Sequence, residues 1–439
     1  MNAQVWLWTG DVIAAWLAAR RSPRDAMAAH PVLKHAEAGE RAAVARLAAA
    51  ALGAMRRHEF VLGGPRGLAD RPPRARALAL ALASAIEADQ LLADAATRWF
   101  EREGGPPLDF APVLVAAQRC HDPGDPQRSF ARRHSVPDWF AALALQQFGG
   151  EADALAEALG KPAPRTIRAN LLRVASRDAL ATELAASGVR TTPTPFVGTG
   201  LQVEGDADLF ATAAFARGAF EQQDEASQLV AAAVAPPPGG KVLDLCAGSG
   251  GKTLALAALL QGRGAVLAAD VHERRLAALR ARLGRAAAAN VQLAPLPEGP
   301  VPSAVAAFAG HADRILVDAP CSGTGSWRRR PEARWALAAD GLEALVATQD
   351  RLLAQAASWL RPGARLVYAT CSLLRQENEA RVDALLAADP GLERVRLVEI
   401  LGGVAARPIA DATGTNLSLR PDRHGTDGFF AAVLRRKRS

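Results

Sequence analysis

Up to about residue 150, apolar and polar positions recur at helical spacing. The segment GERAAVARLAAAALGAMRRHEFVLGG (39–64) carries this period and ends in a Gly-Gly stop; residues 76–101 continue it. Gly- and Pro-rich breaks fall at 63–73, 104–107 and 122–126, and Ser135 with Pro137 predicts a helix start at SVPDWFAALALQQFGG. The texture changes after Pro162. A strand is expected over 165–174, a helix near 177–187 and short extended pieces to about 205, which together predict a small α+β module. PPPGG (236–240) reads as a stiff linker. Beyond it short apolar runs alternate with helical patterns: KVLDL, a helix from about 252, AVLAAD, a helix over 273–285, RILVDAP, a helix near 341–360, and RLVYAT. That alternation predicts a doubly wound, Rossmann-like parallel sheet. RVRLVEI (394–400) and GFFAAVLRR (428–436) are expected to pair as a last antiparallel edge. The expected division is a helical domain at 1–134, a helix plus α+β module at 135–235 and a catalytic α/β domain at 236–439.

Composition changes this picture only at the margins. With 439 residues, 50% hydrophobic and 22% charged, the chain can bury ordinary globular cores and is not disordered. Stretches free of charge and proline, such as Ala77–Ile86, reach about half the length of a bilayer span, so no membrane segment is expected. The N-terminus lacks leading positive charge and is interrupted by Asp11, unlike a secretory signal. Four cysteines without paired spacing argue against both a disulfide framework and a zinc site; a reduced, cytoplasmic protein without a metal is expected. Net charge is +7, and only five of the 52 basic residues are lysine. Arginine forks suit phosphates, although an Ala- and Arg-rich composition could produce the same excess.

Three segments carry chemistry. In VLDLCAGSGGKT (242–253) a strand runs into a glycine-rich turn and then a helix, whose N-terminus offers free N–H groups to an anionic ligand. The candidate cofactor residues are Cys246, Ala247, Gly248, Ser249, Gly250, Gly251 and Lys252, with Asp270 placed 20 positions after Gly250 to accept from ribose hydroxyls. The turn departs from the dinucleotide G-x-G-x-x-G pattern. DRILVDAPCSGTG (313–325) puts Asp318 and Cys321 just past a strand, and RLVYATCS (365–372) does the same for Cys371. Carboxyl ends of parallel strands share one edge, so these groups are expected to converge there. A thiol, a carboxylate and a nucleoside cofactor together suit attack on a pyrimidine: a thiolate adding to C6 makes C5 nucleophilic toward an electrophilic methyl group, assisted at the N3/N4 edge by Asp318.

DAPCSGTG and ATCS, with QDEASQ (223–228), RRRPEARW (328–335) and HGTDGFF (424–430), resemble the Sun/Fmu-type RNA (cytosine-5)-methyltransferases over roughly residues 135–439. The resemblance implies S-adenosyl-L-methionine as cofactor, Cys371 as nucleophile, Cys321 as the thiol that promotes release, and Asp318 in the cofactor and base pocket. It implies an RNA partner, ribosomal RNA before transfer RNA, approached through Arg168 and Asn170 of TIRANLLR; Arg329 is placed on a basic rim for phosphates. Residues 1–134 resemble the NusB-like domain that some members carry. Two departures stand out: Ser249 replaces a usual proline, and NVQLAPLPEG (290–299) has no clear acid for the adenine, leaving Glu298 as a stand-in. The rival readings are a methyltransferase acting on another RNA atom or on protein, which needs no paired thiols, and a non-catalytic RNA-binding assembly factor.

Overall fold

A computed structural model describes residues 3–64, 67–297 and 299–437. Among them the chain forms two compact units, one of residues 1–162 with Trp327–Ala339, the other of Ala163–Ser326 with Asp340–Ser439.

The first unit is helical and is built around the helix Pro73–Glu87, whose residues Ala77–Ile86 are buried without interruption. Val12, Ile13 and Trp16 of the helix Ala3–Ala19 pack in the same core, as do Val44, Ala48 and Leu52 of Ala38–Gly53. The two long periodic segments are each broken once. The first divides at Ala54 into Ala38–Gly53 and Met55–Gly63, ending at Gly64 with φ 64°. The second divides between Glu87 and Ala93, where Asp89 takes φ 53°. Ser135 does not start a helix: its φ is 51°, its hydroxyl accepts from the Arg56 N–H, and the helix Asp138–Phe148 begins after Pro137. The segment Trp327–Ala339, unforeseen as part of this unit, supplies buried Trp327 against Phe140 at 4.6 Å and Arg334, whose guanidinium donates to the carbonyls of Gly53, Ser135 and Leu159.

The second unit holds two sheets. In the smaller, β1 (Arg165–Ala169), β2 (Thr191–Pro193), β3 (Gly200–Val203) and β4 (Phe220–Gln222) form an antiparallel sheet of order β2-β3-β1-β4. Ile167, Leu201 and Phe220 pack there on Leu180 and Leu184 of the helix Arg177–Ala186. The strand expected over 165–174 stops at Ala169 because Asn170 Oδ1 accepts the Leu172 N–H and turns the chain.

The larger sheet contains β5 (Lys241–Asp244), β6 (Ala265–Asp270), β7 (Val291–Pro295), β8 (Arg314–Asp318), β9 (Arg365–Thr370), β10 (Leu392–Val395), β11 (Leu417–Leu419) and β12 (Phe429–Arg436). Its order is β10-β12-β9-β8-β5-β6-β7, with β11 also on β12. Strands β5 to β9 are parallel and β12 is antiparallel to its neighbours. Both faces are apolar: Val242, Val266, Leu316 and Val367 belong to one core layer, Leu243, Leu267, Ile315 and Leu366 to the other. A sheet buried on both sides reads as continuous hydrophobic runs, which is how the sequence displayed it. The expected antiparallel pairing of the two last runs forms at the sheet edge, with Arg394 opposite Leu434, and differs only in detail. β12 lies inside the sheet between β9 and β10, and RVRLVEI is strand only to Val395 before the helix Leu397–Leu401. A short apolar run satisfies either period, and Leu397 spends its burial on the core as a helical residue.

Candidate active site

The strand order β9-β8-β5-β6 brings the ends of four neighbouring strands together, each carrying candidate chemistry. After β5 the turn is set by Gly248 (φ 54°) and Gly250 (φ 84°), the latter N-capping the helix Gly251–Leu259. A Cβ on Gly250 would fall 2.2 Å from Leu279 Cδ1, so glycine is required there both by conformation and by space. A Cβ on Gly248 would meet nothing within 4 Å: that side of the turn is open to a ligand. Asp270 Oδ2 accepts the Gly248 N–H at 2.7 Å and Oδ1 the His272 N–H at 2.7 Å, so the carboxylate fixes the turn while its remaining lone pairs stay available. Ser249, in place of the usual proline, is held in the turn through its backbone. Its carbonyl accepts from Arg282, whose guanidinium also pairs with buried Glu221 at 2.7 Å. Cys246 packs toward the core layer of Leu243 and Leu245, and burial pushes its thiol up, favouring the neutral form.

Lys252 is buried rather than solvent-bound. Its Nζ lies 2.7 Å from Asp318 Oδ2 and 4.7 Å from the centre of the Phe429 ring. Cys321 Sγ and Cys371 Sγ are 3.4 Å apart. Cys371 is held below the ordinary thiol value by the hydrogen bond from Cys321, and further by Lys252 and the Ser326 hydroxyl, against burial and the Asp318 charge. Cys321 moves the opposite way, well up, through the same hydrogen bond and its burial. The pair therefore divides into one sulfur biased toward thiolate and one that keeps its proton.

Residues outside the expected set position these groups. Glu377, fully buried, accepts from the Ser322 N–H at 2.8 Å, from Gln349 Nε2 at 3.0 Å, and from both the Ser322 and Ser372 hydroxyls. It thus ties the residue after Cys321 to the residue after Cys371. Asp244, at the end of β5, is buried; Oδ2 accepts from Thr253 at 2.7 Å while Oδ1 has no partner. Burial, opposed by the Thr253 bond, raises its carboxyl to about 7. The only advance signals were Asp244's place before the glycine turn and Phe429 inside HGTDGFF; nothing flagged Glu377.

Two RNA-contact expectations need correction. Arg168 is 3% exposed, with Nε on Gln223 Oε1 at 2.7 Å, and Asn170 is 2% exposed, donating to the carbonyls of Gly218 and Ala286 at 2.9 Å. Both are seams joining the small sheet to its neighbours within the unit, not surfaces for a polyanion. QDEASQ serves the same seam: Glu225 accepts from the Phe196 and Val197 N–H groups and Gln228 donates to the Gln223 carbonyl. Arg329 is half-buried in Trp327–Ala339 of the first unit, and Glu298 lies outside the described residues.

Comparison with known proteins follows the same lines. The family described as 16S rRNA methyltransferase RsmB/F matches residues 231–435, and its ferredoxin-like domain matches residues 136–209. A ribosomal RNA small subunit methyltransferase B of Xanthomonas campestris pv. campestris is 32% identical over 377 residues, 84% of this chain and 82% of the relative. The chain belongs to the RsmB/F methyltransferase family. A ribosomal RNA small subunit methyltransferase F of Cronobacter sakazakii is 36% identical over 70% of this chain, the match spanning 62% of that relative's length. A methyltransferase homolog from Pyrococcus horikoshii superposes with a TM-score of 0.60 at 29% identity, covering 72% of this chain and all of the other. The protein titled PH0851 shares the fold across 99% of this chain and all of its own, with a TM-score of 0.79 at 23% identity. As an RsmB/F member the chain is an S-adenosylmethionine-dependent RNA (cytosine-5)-methyltransferase. Among the described residues no helix is long and apolar enough to cross a membrane.

Proposed function

We propose that this RsmB/F enzyme methylates C5 of a cytosine in small-subunit ribosomal RNA through a covalent adduct on Cys371, in the cytoplasm. The observation that carries the reading is the pair of sulfurs 3.4 Å apart at neighbouring strand ends, with the Lys252–Asp318 pair alongside. The Cys371 thiolate forms a bond to C6, and the electrons of the C5–C6 double bond move toward C5 and the N3 edge. Asp318, kept in place by Lys252, faces the base and accepts from its exocyclic amine. S-adenosylmethionine, when bound, would supply an electrophilic methyl group to C5 and leave as the neutral thioether S-adenosylhomocysteine. Water takes the C5 proton, its bonding electrons restore the C5–C6 double bond as the C6–sulfur bond breaks, and the protonated Cys321 beside Cys371 assists the departing thiolate by hydrogen bonding. The open side of Gly248, the turn N–H groups and Asp270 fit the cofactor, with Asp270 on the ribose. We assign the residue 1–134 region to RNA or protein contacts in the manner of a NusB-like domain, and Arg329 to an RNA phosphate. The target cytosine must leave its stack to reach this crevice, so an unpaired cytosine is preferred to one in a stable duplex.

The test separates the thiols. Cys371→Ala abolishes both methyl transfer and any covalent RNA complex. Cys321→Ala still forms and methylates the adduct but resolves it slowly, leaving protein on RNA as a retarded band in denaturing electrophoresis. A trapped band in Cys371→Ala instead would reverse the assignment; full activity in both variants would remove thiol catalysis and favour methylation of another atom. Mapping 5-methylcytosine in cellular RNA with and without the protein identifies the substrate.

A further inference from the structure

The same strands that end at the thiols begin in a row of arginines. Arg314 opens β8, Arg365 opens β9, and Arg435 lies near the end of β12; Arg314 stands opposite Arg365, and Arg365 opposite Arg435. Glu393 of β10 stands opposite Arg435 and closes the row. Two residues further along each strand, Leu316, Val367, Val433 and Val395 share one core layer, so all four charged side chains rise from the same face. With Gly363 they line a cavity of about 410 Å³.

Like charges directly opposite one another in a sheet are destabilising, so three arginines in register call for a compensating charge. The acids nearby supply only part of it. Glu393 accepts from Arg435, and Asp313 pairs with Arg361 and accepts the Lys241 N–H. Arg314 is partly engaged: its Nε donates to the carbonyls of Val234 and Ala235 at the end of the helix Glu225–Val234, and Nη1 to the Asp313 carbonyl. The Arg365 guanidinium has no hydrogen-bond or ion-pair partner among the described residues. Burial and the adjacent Arg365 charge lower Arg314 to about 10, in keeping with crowding of positive charge. Planar guanidinium forks lining a concave site match the oxygens of a phosphate.

We propose that Arg314, Arg365 and Arg435 form a phosphate-binding site at the end of the sheet opposite the catalytic thiols. The six residues of β9 separate the two ends by roughly 17–20 Å, so a phosphate held here adds to affinity and takes no part in the chemical step. The ligand is either a backbone phosphodiester of the RNA substrate, which rests on the function proposed above, or a free phosphate.

The full chain is compared with Arg365→Gln and Arg365→Lys in three measurements: inorganic phosphate binding by calorimetry, affinity for a small-subunit ribosomal RNA fragment across a salt series, and methyl transfer at saturating RNA. If the RNA backbone is the ligand, Arg365→Gln weakens RNA binding about tenfold, lowers the log–log salt slope by about one and leaves the saturated rate unchanged. Arg365→Lys then restores the slope but not the full affinity, because it keeps the charge without the fork. Unchanged RNA affinity, with phosphate binding seen in wild type and lost in Arg365→Gln, assigns the site to free phosphate. If neither RNA nor phosphate responds to either variant, the proposal is overturned. Failure of the wild type to methylate RNA counts against the proposed substrate and leaves the phosphate measurement standing.

Discussion

Replacing Glu377 by leucine tests whether one buried carboxylate keeps the two thiol loops in register. Four donors converge on it. Two can adapt: the Ser322 and Ser372 hydroxyls lie 3.2 Å from each other, and Ser322 is 3.4 Å from the Thr324 hydroxyl, so they can re-pair. The other two, the Ser322 N–H and one hydrogen of Gln349 Nε2, are fixed, the latter because its amide is already held by the Pro320 carbonyl at 2.9 Å. Each fixed donor left buried and unpaired costs about 1–3 kcal/mol. Relief from burying a charge works against this, so the net destabilisation of Glu377→Leu is about 2–4 kcal/mol. Glu377→Gln keeps the volume and one acceptor oxygen and costs about 1–2 kcal/mol. The catalytic effect exceeds what stability alone implies, since a 1 Å misplacement of reacting groups can cost roughly 100-fold. We expect Glu377→Leu to lower kcat about 10- to 100-fold with little change in KM for S-adenosylmethionine. Urea unfolding gives the stability, steady-state methyl transfer gives the kcat and KM split, and amide exchange at Ser322 reports the broken bond directly. Stability within about 0.5 kcal/mol of wild type together with an unchanged kcat would refute the reasoning.

Asp270→Ala should weaken S-adenosylmethionine binding by about 1.5–3 kcal/mol, the scale of hydrogen bonds to a charged group, and calorimetry showing equal affinity would remove the ribose assignment. Asp244 gives a pH signature. Its carboxyl is raised to about 7 in the fold, so its penalty is absent below the ordinary value near pH 4, grows as pH rises, and is complete above about pH 7. Asp244→Asn should therefore gain stability over wild type with rising pH, by at most roughly 4 kcal/mol, and parallel denaturation curves at pH 5 and 8 would contradict this. Arg334→Leu removes three hydrogen bonds from a buried cation and leaves the carbonyls of Gly53, Ser135 and Leu159 without it. The first unit should lose about 2–4 kcal/mol, measured by the fluorescence of Trp327 and Trp139 during unfolding.

The α/β order and the convergence of Asp270, Asp318, Cys321 and Cys371 were legible because both rest on local signals. Buried parallel strands are continuous apolar runs, and their chemistry sits on the last residue of each strand or within three residues past it. Glu377 was not legible: its meaning comes from Ser322, 55 positions away, and a carboxylate in QENEA looks like any helix-start acid. Arg168 misled for the converse reason. The family resemblance put it in an RNA-approach motif, and because arginine is rarely buried unless paired nothing local opposed that reading, whereas Gln223 brought it inside the fold. The pairing of β12 with β10 was legible, but its second pairing with β9 was not, because no periodicity says which further neighbour a strand will take. Lys252 was legible as part of the cofactor turn, but not its partners Asp318 and Phe429, which lie 66 and 177 positions away.

The segment Trp327–Ala339 has a consequence for how the chain folds as it is made. Its Arg334 reaches the Gly53 carbonyl across 281 residues of sequence, and Trp335 Nε1 donates to Leu52. On a ribosome, residues 163–326 must be synthesised between the helices and this closing piece, a delay of roughly 10–30 s at typical rates. Throughout that interval Phe140 and Trp139 lack the Trp327 ring that covers them in the finished unit. Nascent chains in this state expose an aromatic seam, the kind of surface that recruits chaperones or aggregates. Refolding of the complete chain faces the same long closure and should be slow for a helical unit, whose contacts are otherwise local. Encoded first, the helical unit cannot finish its core until the strands β5 to β8 of its neighbour have already been made.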